Sequence, residues 1–325
     1  MKNKKIFILT SLLLTSCNTN KLDVSIYAYN LEDTFIASLV SSIELEMKEK
    51  NYKYTIFDSK NSQIEQNRQL INDIENDNSS VFVLNMVDRL AASSIISKVK
   101  KTNKPIIFFN REPLLSDLNL YEQCYYVGTN PYLEGTLQAE MTASLFGDPQ
   151  NLNKEYDKNG DNKIQLVLLK GEIAHQDSEL RSNAYLETLK EKGYEVEVLT
   201  SRYCSWKKEK GYEEMKNVYQ EFSSQIEMIS SNNDDMALGA IEYLKTQNVF
   251  NNNYLPIIGV DGTTNGKKAI EEGFLYGTVI NDNVQQAKMI SYFVNCFVNN
   301  KKIDIPLSNN HCIYIDGKIL TKKSL

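Results

Sequence analysis

Residues 81–84 and 106–109 are short apolar runs with almost no alternation between apolar and polar positions. A strand of that kind is buried on both faces, as in a parallel sheet covered by helices on either side. The neighbouring segments agree. Residues 24–27 and 54–57 read as strands. Residues 35–50 place Phe35, Leu39, Ile43 and Met47 at helical spacing, and 64–74 and 91–99 read as further helices. The pattern then repeats. Strands are predicted at 164–169, 196–199, 228–229, 257–260 and 277–280, and helices at 177–192, 215–222, 236–244 and 285–298. A chain of 325 residues is too long for one ordinary core and suits two. The expected fold is therefore α/β, two Rossmann-like units with parallel sheets and no Pro/Gly-rich linker between them.

The first residues read as a targeting segment. Lys2, Lys4 and Lys5 precede a short apolar run, 6–14, which is too short to span a bilayer. It ends in Leu14-Thr15-Ser16-Cys17, which resembles a bacterial lipobox. Cleavage before Cys17 would leave a lipidated N-terminus, and several acyl chains give stable anchoring where one does not. Residues 1–17 are thus expected to be a lipoprotein signal, and the chain to work outside the cytoplasm, in the periplasm or on the cell surface. Later in the chain no apolar stretch is long enough for a transmembrane helix.

The formal net charge is −6, with no Lys/Arg block. Nucleic-acid binding, which needs a basic surplus, is not expected. Cys124, Cys204, Cys296 and Cys312 are far apart and form no CxxC pair, so they read as buried thiols, with a single bridge among them as the alternative. With only His175 and His311, a zinc centre is not expected.

In open parallel sheets, ligands bind beyond the carboxyl ends of the strands. Polar residues stand there in number. Asn110 follows 106–109, His175 and Asp177 follow 164–169, and Asn233 follows 228–229. Asp261 follows 257–260, Asn281 follows 277–280, and Asp33 precedes the first helix. Any one of them reads as an ordinary helix cap. One per strand end is a stronger signal.

Phe109-Asn110-Arg111-Glu112-Pro113, His175-Gln176-Asp177 with Arg181, Asn232-Asn233-Asp234-Asp235-Met236-Ala237, Gly259-Val260-Asp261 and 277–282 together resemble the periplasmic galactose/glucose-binding proteins, in the same order. The resemblance implies the periplasmic binding protein-like I fold, two lobes joined by a three-strand hinge. It implies an N-terminal lobe of residues 22–128 plus 283–314 and a C-terminal lobe of 129–282 plus 315–325. A hexose, D-glucose or D-galactose, would lie between them. Its hydroxyls would meet Asp33, Asn110, His175, Asp177, Arg181, Asn233, Asp261 and Asn281, and its apolar faces Phe35 and Trp206. Hydroxyls both donate and accept, which suits carboxylates, amides and a guanidinium. The segment before Phe35 is longer than the family's counterpart and has Thr34 where Asn is usual, so Glu32 is the alternative to Asp33. The family implies a monomer that hands its sugar to an ABC permease, with a chemoreceptor as a second recipient. No Ser/His/Asp or Cys/His set indicates an enzyme, and no DNA-binding headpiece replaces the signal segment.

The stretch 157–165 carries oxygen side chains at positions 1, 3, 5 and 9, namely Asp157, Asn159, Asp161 and Gln165, like the start of an EF-hand loop, with Lys163 supplying a backbone carbonyl. Position 12 is Leu168, which cannot ligate. The resemblance implies that Glu227 completes a structural Ca2+ site.

Overall fold

The computed structural model describes residues 22–252 and 254–324. The Cys17 lipobox lies outside them. The chain first builds β1 (Leu22–Ala28), α1 (Thr34–Glu49), β2 (Tyr54–Asp58), α2 (Gln63–Glu75), β3 (Ser79–Leu84), α3 (Ala92–Lys100), β4 (Ile106–Phe109), α4 (Leu115–Leu118) and β5 (Cys124–Thr129). It then builds α5 (Pro131–Phe146), the small hairpin β6 (Gly147–Asp148) and β7 (Asn151–Leu152), β8 (Ile164–Lys170), α6 (Gln176–Glu191), β9 (Val196–Tyr203), α7 (Lys208–Phe222) and β10 (Met228–Ser231). There follow α8 (Asp234–Thr246), α9 (Val249–Asn252), β11 (Ile257–Asp261), α10 (Thr264–Glu271), β12 (Gly277–Ile280), α11 (Asn283–Val298), β13 (Cys312–Ile315) and β14 (Lys318–Thr321).

The strands form two sheets, ordered β13-β5-β4-β3-β1-β2 and β14-β12-β11-β10-β8-β9. Both contain the same 2-1-3-4-5 winding, so each has its switch point beside its own first strand. The buried strands send alternate side chains to opposite faces. In β1, Ile26 joins α1 and α11 in one core, and Tyr27 joins α3 in the other. That double burial explains the missing alternation in the sequence.

The chain passes from one sheet to the other between Thr129 and Pro131, between Ile280 and Asn283, and between Ile315 and Lys318. One expectation needs correction. The second sheet is not wholly parallel, because β14 pairs antiparallel with β12. The reason is the route. The chain leaves β13 at the end where both sheets present their carboxyl edges, so it must enter β14 running away from that edge.

Candidate functional site

The carboxyl edges of the two sheets face each other across a cleft. Its wall contains all ten residues expected from the sequence: Asp33, Phe35, Asn110, His175, Asp177, Arg181, Trp206, Asn233, Asp261 and Asn281. Tyr29, Ile36 and Arg111, which the sequence pattern does not single out, line it too. Glu32 is exposed and borders an outer depression instead, because the longer loop bulges outward with the Leu31 N–H tied to Asp58 and the Glu32 N–H to Asn30.

Three of these residues are both caps and cleft walls. Asp33 Oδ1 accepts from the Ile36 N–H, Asn233 Oδ1 from the Met236 N–H, and His175 Nδ1 from the Asp177 N–H. The last bond leaves the His175 proton on Nε2. Burial, with Arg111 next in effect, lowers the His175 pKa to about 3, so the ring is neutral near pH 7. Asn110 and Asp261 instead hold left-handed backbone, φ 60° and 114°, a sparsely populated conformation for non-glycine residues that is common at ligand sites. The turn after Asp261 is tied down by the buried Asp234, whose carboxylate accepts from Thr263 N–H and from the hydroxyls of Thr263 and Thr278. Burial pushes the Asp234 carboxyl up to about 6.

Arg181 is fixed by a partner that the sequence pattern does not reveal. Its Nε donates to Glu134 Oε2 at 2.6 Å, and Nη1 to the Asn232 carbonyl at 2.9 Å. Asp177, four residues away on the same helix, is not its direct partner. Burial disfavours the guanidinium charge, yet Glu134, then Asp177 and Asp261, outweigh it and hold Arg181 protonated. Nη2 donates to none of the described residues, and Arg181 lines the cleft. The side-chain carboxylates of Asp177 and Asp261 accept no hydrogen bond from the described residues, and burial pushes both up. Asn281 Oδ1 is taken by Gln286, which leaves its amide hydrogens as donors.

Trp206 sits in a turn where Ser205 and Trp206 both have positive φ. Its ring packs on Gly171, where a Cβ would come within 2.1 Å of Cζ2, and edge-to-face with His175 at 5.1 Å. Phe35 has a double role, lining the cleft and belonging to the core under α1.

The arrangement offers open carboxylate acceptors, guanidinium, imidazole and amide donors, and two aromatic faces. A neutral ligand rich in hydroxyls satisfies all of these. Three carboxylates disfavour an anion.

The second predicted site lies in the C-terminal lobe. Asn162 takes the left-handed turn at φ 61°. Glu227 is buried and accepts from the N–H groups of Lys158 and Gln165, at the two ends of the loop. Asp157 accepts from Gly160 and Asn162, Asn159 from Asp161, and Asp161 from Lys163 and from Gln165 Nε2. No group of three acidic, His or Cys side chains converges among the described residues. Gln165 Oε1, however, is buried without a partner. That orphan oxygen and the all-oxygen donor set fit a hard dication.

Fold and cleft define a two-lobed α/β binding protein. Residues 24–302 match the family model described as "Periplasmic binding protein domain". The chain is 36% identical over 278 residues to the D-galactose/methyl-galactoside binding periplasmic protein MglB of Haemophilus influenzae, covering 85% of this chain and 81% of that protein. It is also similar in fold to a Bacillus halodurans ABC transporter solute binding protein with bound myo-inositol, with TM-score 0.79 and 21% identity over 94% of this chain and 96% of that one. An Actinobacillus succinogenes periplasmic solute binding protein with bound D-allose gives TM-score 0.78 and 18% identity over 94% and 99%. The chain belongs to the periplasmic binding protein family. It is a binding protein and not an enzyme.

Proposed function

We propose that this chain is the extracytoplasmic sugar-binding component of an ABC transporter, taking D-glucose or D-galactose into the cleft and delivering it to a permease. The observation that carries the reading is the convergence of unpartnered buried carboxylates, Asp177 and Asp261, with the free donors of Arg181 and the rings of Phe35 and Trp206. Its likeness to the Haemophilus influenzae protein favours galactose. Asp33 is the wall residue for a hydroxyl whose orientation separates epimers. Hydrogen bonds to charged groups contribute about 1.5–3 kcal/mol each, so a few such contacts account for tight capture.

The same reading makes Cys17 the lipid-anchored N-terminus of a monomer, with a chemoreceptor as a second partner for the closed lobes. No helix among the described residues is long and apolar enough to cross a membrane. Asp157, Asn159, Asp161, Gln165 and Glu227, with the Lys163 carbonyl, would hold Ca2+. The ion would join the loop to the strand β10 edge by electrostatics and take no part in sugar binding.

The test is calorimetric titration of the soluble chain beginning after Cys17 with D-glucose, D-galactose and D-ribose. One-to-one binding of a hexose but not ribose is expected, with Asp261→Ala and Asn110→Ala losing most of the affinity while remaining folded. No binding of any of the three by folded protein would overturn the reading and direct the search to other monosaccharides. Unchanged affinity in both variants would overturn the site.

A further inference from the structure

Arg111 and Glu172 belong to different lobes. Arg111 follows β4 in the first sheet, and Glu172 follows β8 in the second. Arg111 Nη2 lies 3.2 Å from each Glu172 carboxylate oxygen. Among the ion pairs between described residues, this one alone joins the lobes. Arg111 is further anchored by Nη1 to the Val87 carbonyl at 2.6 Å. Its guanidinium carbon stands 3.9 Å from the centroid of the Tyr29 ring. The Tyr29 hydroxyl donates to Asp33 Oδ2 at 2.6 Å, while Asp33 Oδ1 caps α1. Tyr29, Asp33 and Trp206 line both the inner cleft and the outer depression, whereas Arg111 lines only the inner side and Glu172 only the outer. The ion pair therefore stands between ligand and solvent.

We propose that Glu172, Arg111 and Tyr29 form a relay that fixes the Asp33 carboxylate only when the lobes are together. Opening the lobes separates Arg111 from Glu172. The guanidinium then loses its charged partner and is left on the Val87 carbonyl, its hold on the Tyr29 ring loosens, and with it the fixing of the Tyr29 hydroxyl on Asp33 Oδ2. Closing them restores all three. A carboxylate held at both oxygens discriminates among hydroxyl orientations better than a mobile one. Glu172, Arg111 and Tyr29 are thus positioning residues for Asp33, and selectivity among epimers is set at closure rather than at first encounter. The proposal rests on the sugar-binding reading, but one of its tests does not.

Trp206 is the only tryptophan of the chain and lines the cleft, so its fluorescence follows binding and release directly. Truncating one partner of a partly buried charge pair acts on release more than on encounter. Glu172→Gln should raise koff by about tenfold and leave kon within about twofold. Arg111→Gln should do the same, with little further effect in the double variant, which is the signature of coupled residues. Glu172→Gln and Tyr29→Phe should both change the ratio of D-glucose to D-galactose affinity, in the same direction, because both act through Asp33. A koff within about twofold of wild type in Glu172→Gln, or additive effects in the double variant, would overturn the relay. So would equal acceleration for both sugars with an unchanged ratio, since a purely mechanical clasp would act that way. The second test uses small-angle scattering of the sugar-free protein. Glu172→Gln should give a larger radius of gyration than wild type, and identical values would overturn the latch. If calorimetry shows binding of neither hexose, the sugar reading fails, and the scattering comparison still decides whether the pair holds the lobes together.

Discussion

Glu134→Ala removes the direct charged partner of Arg181 and tests how the cleft holds its cation. Glu134 is 0% exposed and Arg181 4% exposed. After the substitution the guanidinium keeps, among the described residues, the Asn232 carbonyl as its one hydrogen-bond partner. Helices α5 and α6 cannot close on the gap, since they already approach so tightly that a Cβ on Gly135 would stand 2.2 Å from the Arg181 carbonyl oxygen. Removing one member of a buried pair costs about 3–5 kcal/mol, because the other charge remains desolvated. Asp177 and Asp261 also face Arg181 and relieve part of that cost. The expected loss is therefore at the low end, about 3 kcal/mol. The relief has a functional consequence. Carboxylates drawn toward Arg181 are withdrawn from the ligand, so affinity should fall by at least about tenfold, about 1.4 kcal/mol. Glu134→Gln keeps the shape and an acceptor and should lose less of both. The assay is urea denaturation followed by circular dichroism, with the slope checked against wild type, and calorimetric titration of the same samples. A stability change under about 0.5 kcal/mol with an unchanged slope would refute the reasoning, since that is the range of an ordinary surface substitution.

Gly171→Ala would drive a methyl group into the Trp206 ring, costing about 1–3 kcal/mol and displacing it; weaker sugar binding and altered tryptophan emission are expected, and unchanged emission would count against the packing argument. His175 titrates in the folded protein near pH 3 and in the unfolded chain near 6.5. The unfolded chain binds this proton first, so the group contributes stability above pH 6.5 that is lost as the pH falls toward 3. Denaturation profiles over that window should be flatter in His175→Gln, and parallel profiles would sink the assignment. Calcium chelation should lower the melting temperature while sugar affinity stays within about twofold; a melting temperature indifferent to exhaustive chelation and to added Ca2+ would argue against the loop as a metal site.

Much of this molecule is legible in the order of its residues. Strands 81–84 and 106–109 can be recognised because double burial removes alternation, a property of single residues in order. Polar residues at strand ends are visible for the same local reason. The helix 131–146 is harder to see, although Asn130 and Pro131 form an ordinary cap and first position, and Glu134 is hidden with it. Nothing local marks Glu134 as a partner for Arg181, since the two residues are 47 apart in sequence and meet through the packing of two helices. Arg111 has a signal, standing directly after Asn110. Its role depends on Glu172 in the other lobe, and so on a contact that exists only across the cleft. The orientation of β14 follows from the path of the chain between sheets, which periodicity does not carry.

The three crossings between sheets also order the assembly of the protein. The second lobe, apart from its edge strand, is one continuous stretch from α5 to β12. The first is split, and α11 supplies Ala287, Ile290, Phe293 and Val294 to its core only near the end of the chain. A growing chain can build the second core, all but Leu320 of β14, while the first still lacks its cover. Domains fold as units during synthesis, usually the N-terminal one first. A chain cut before α11 is therefore expected to build most of the second core and to leave the first without its cover.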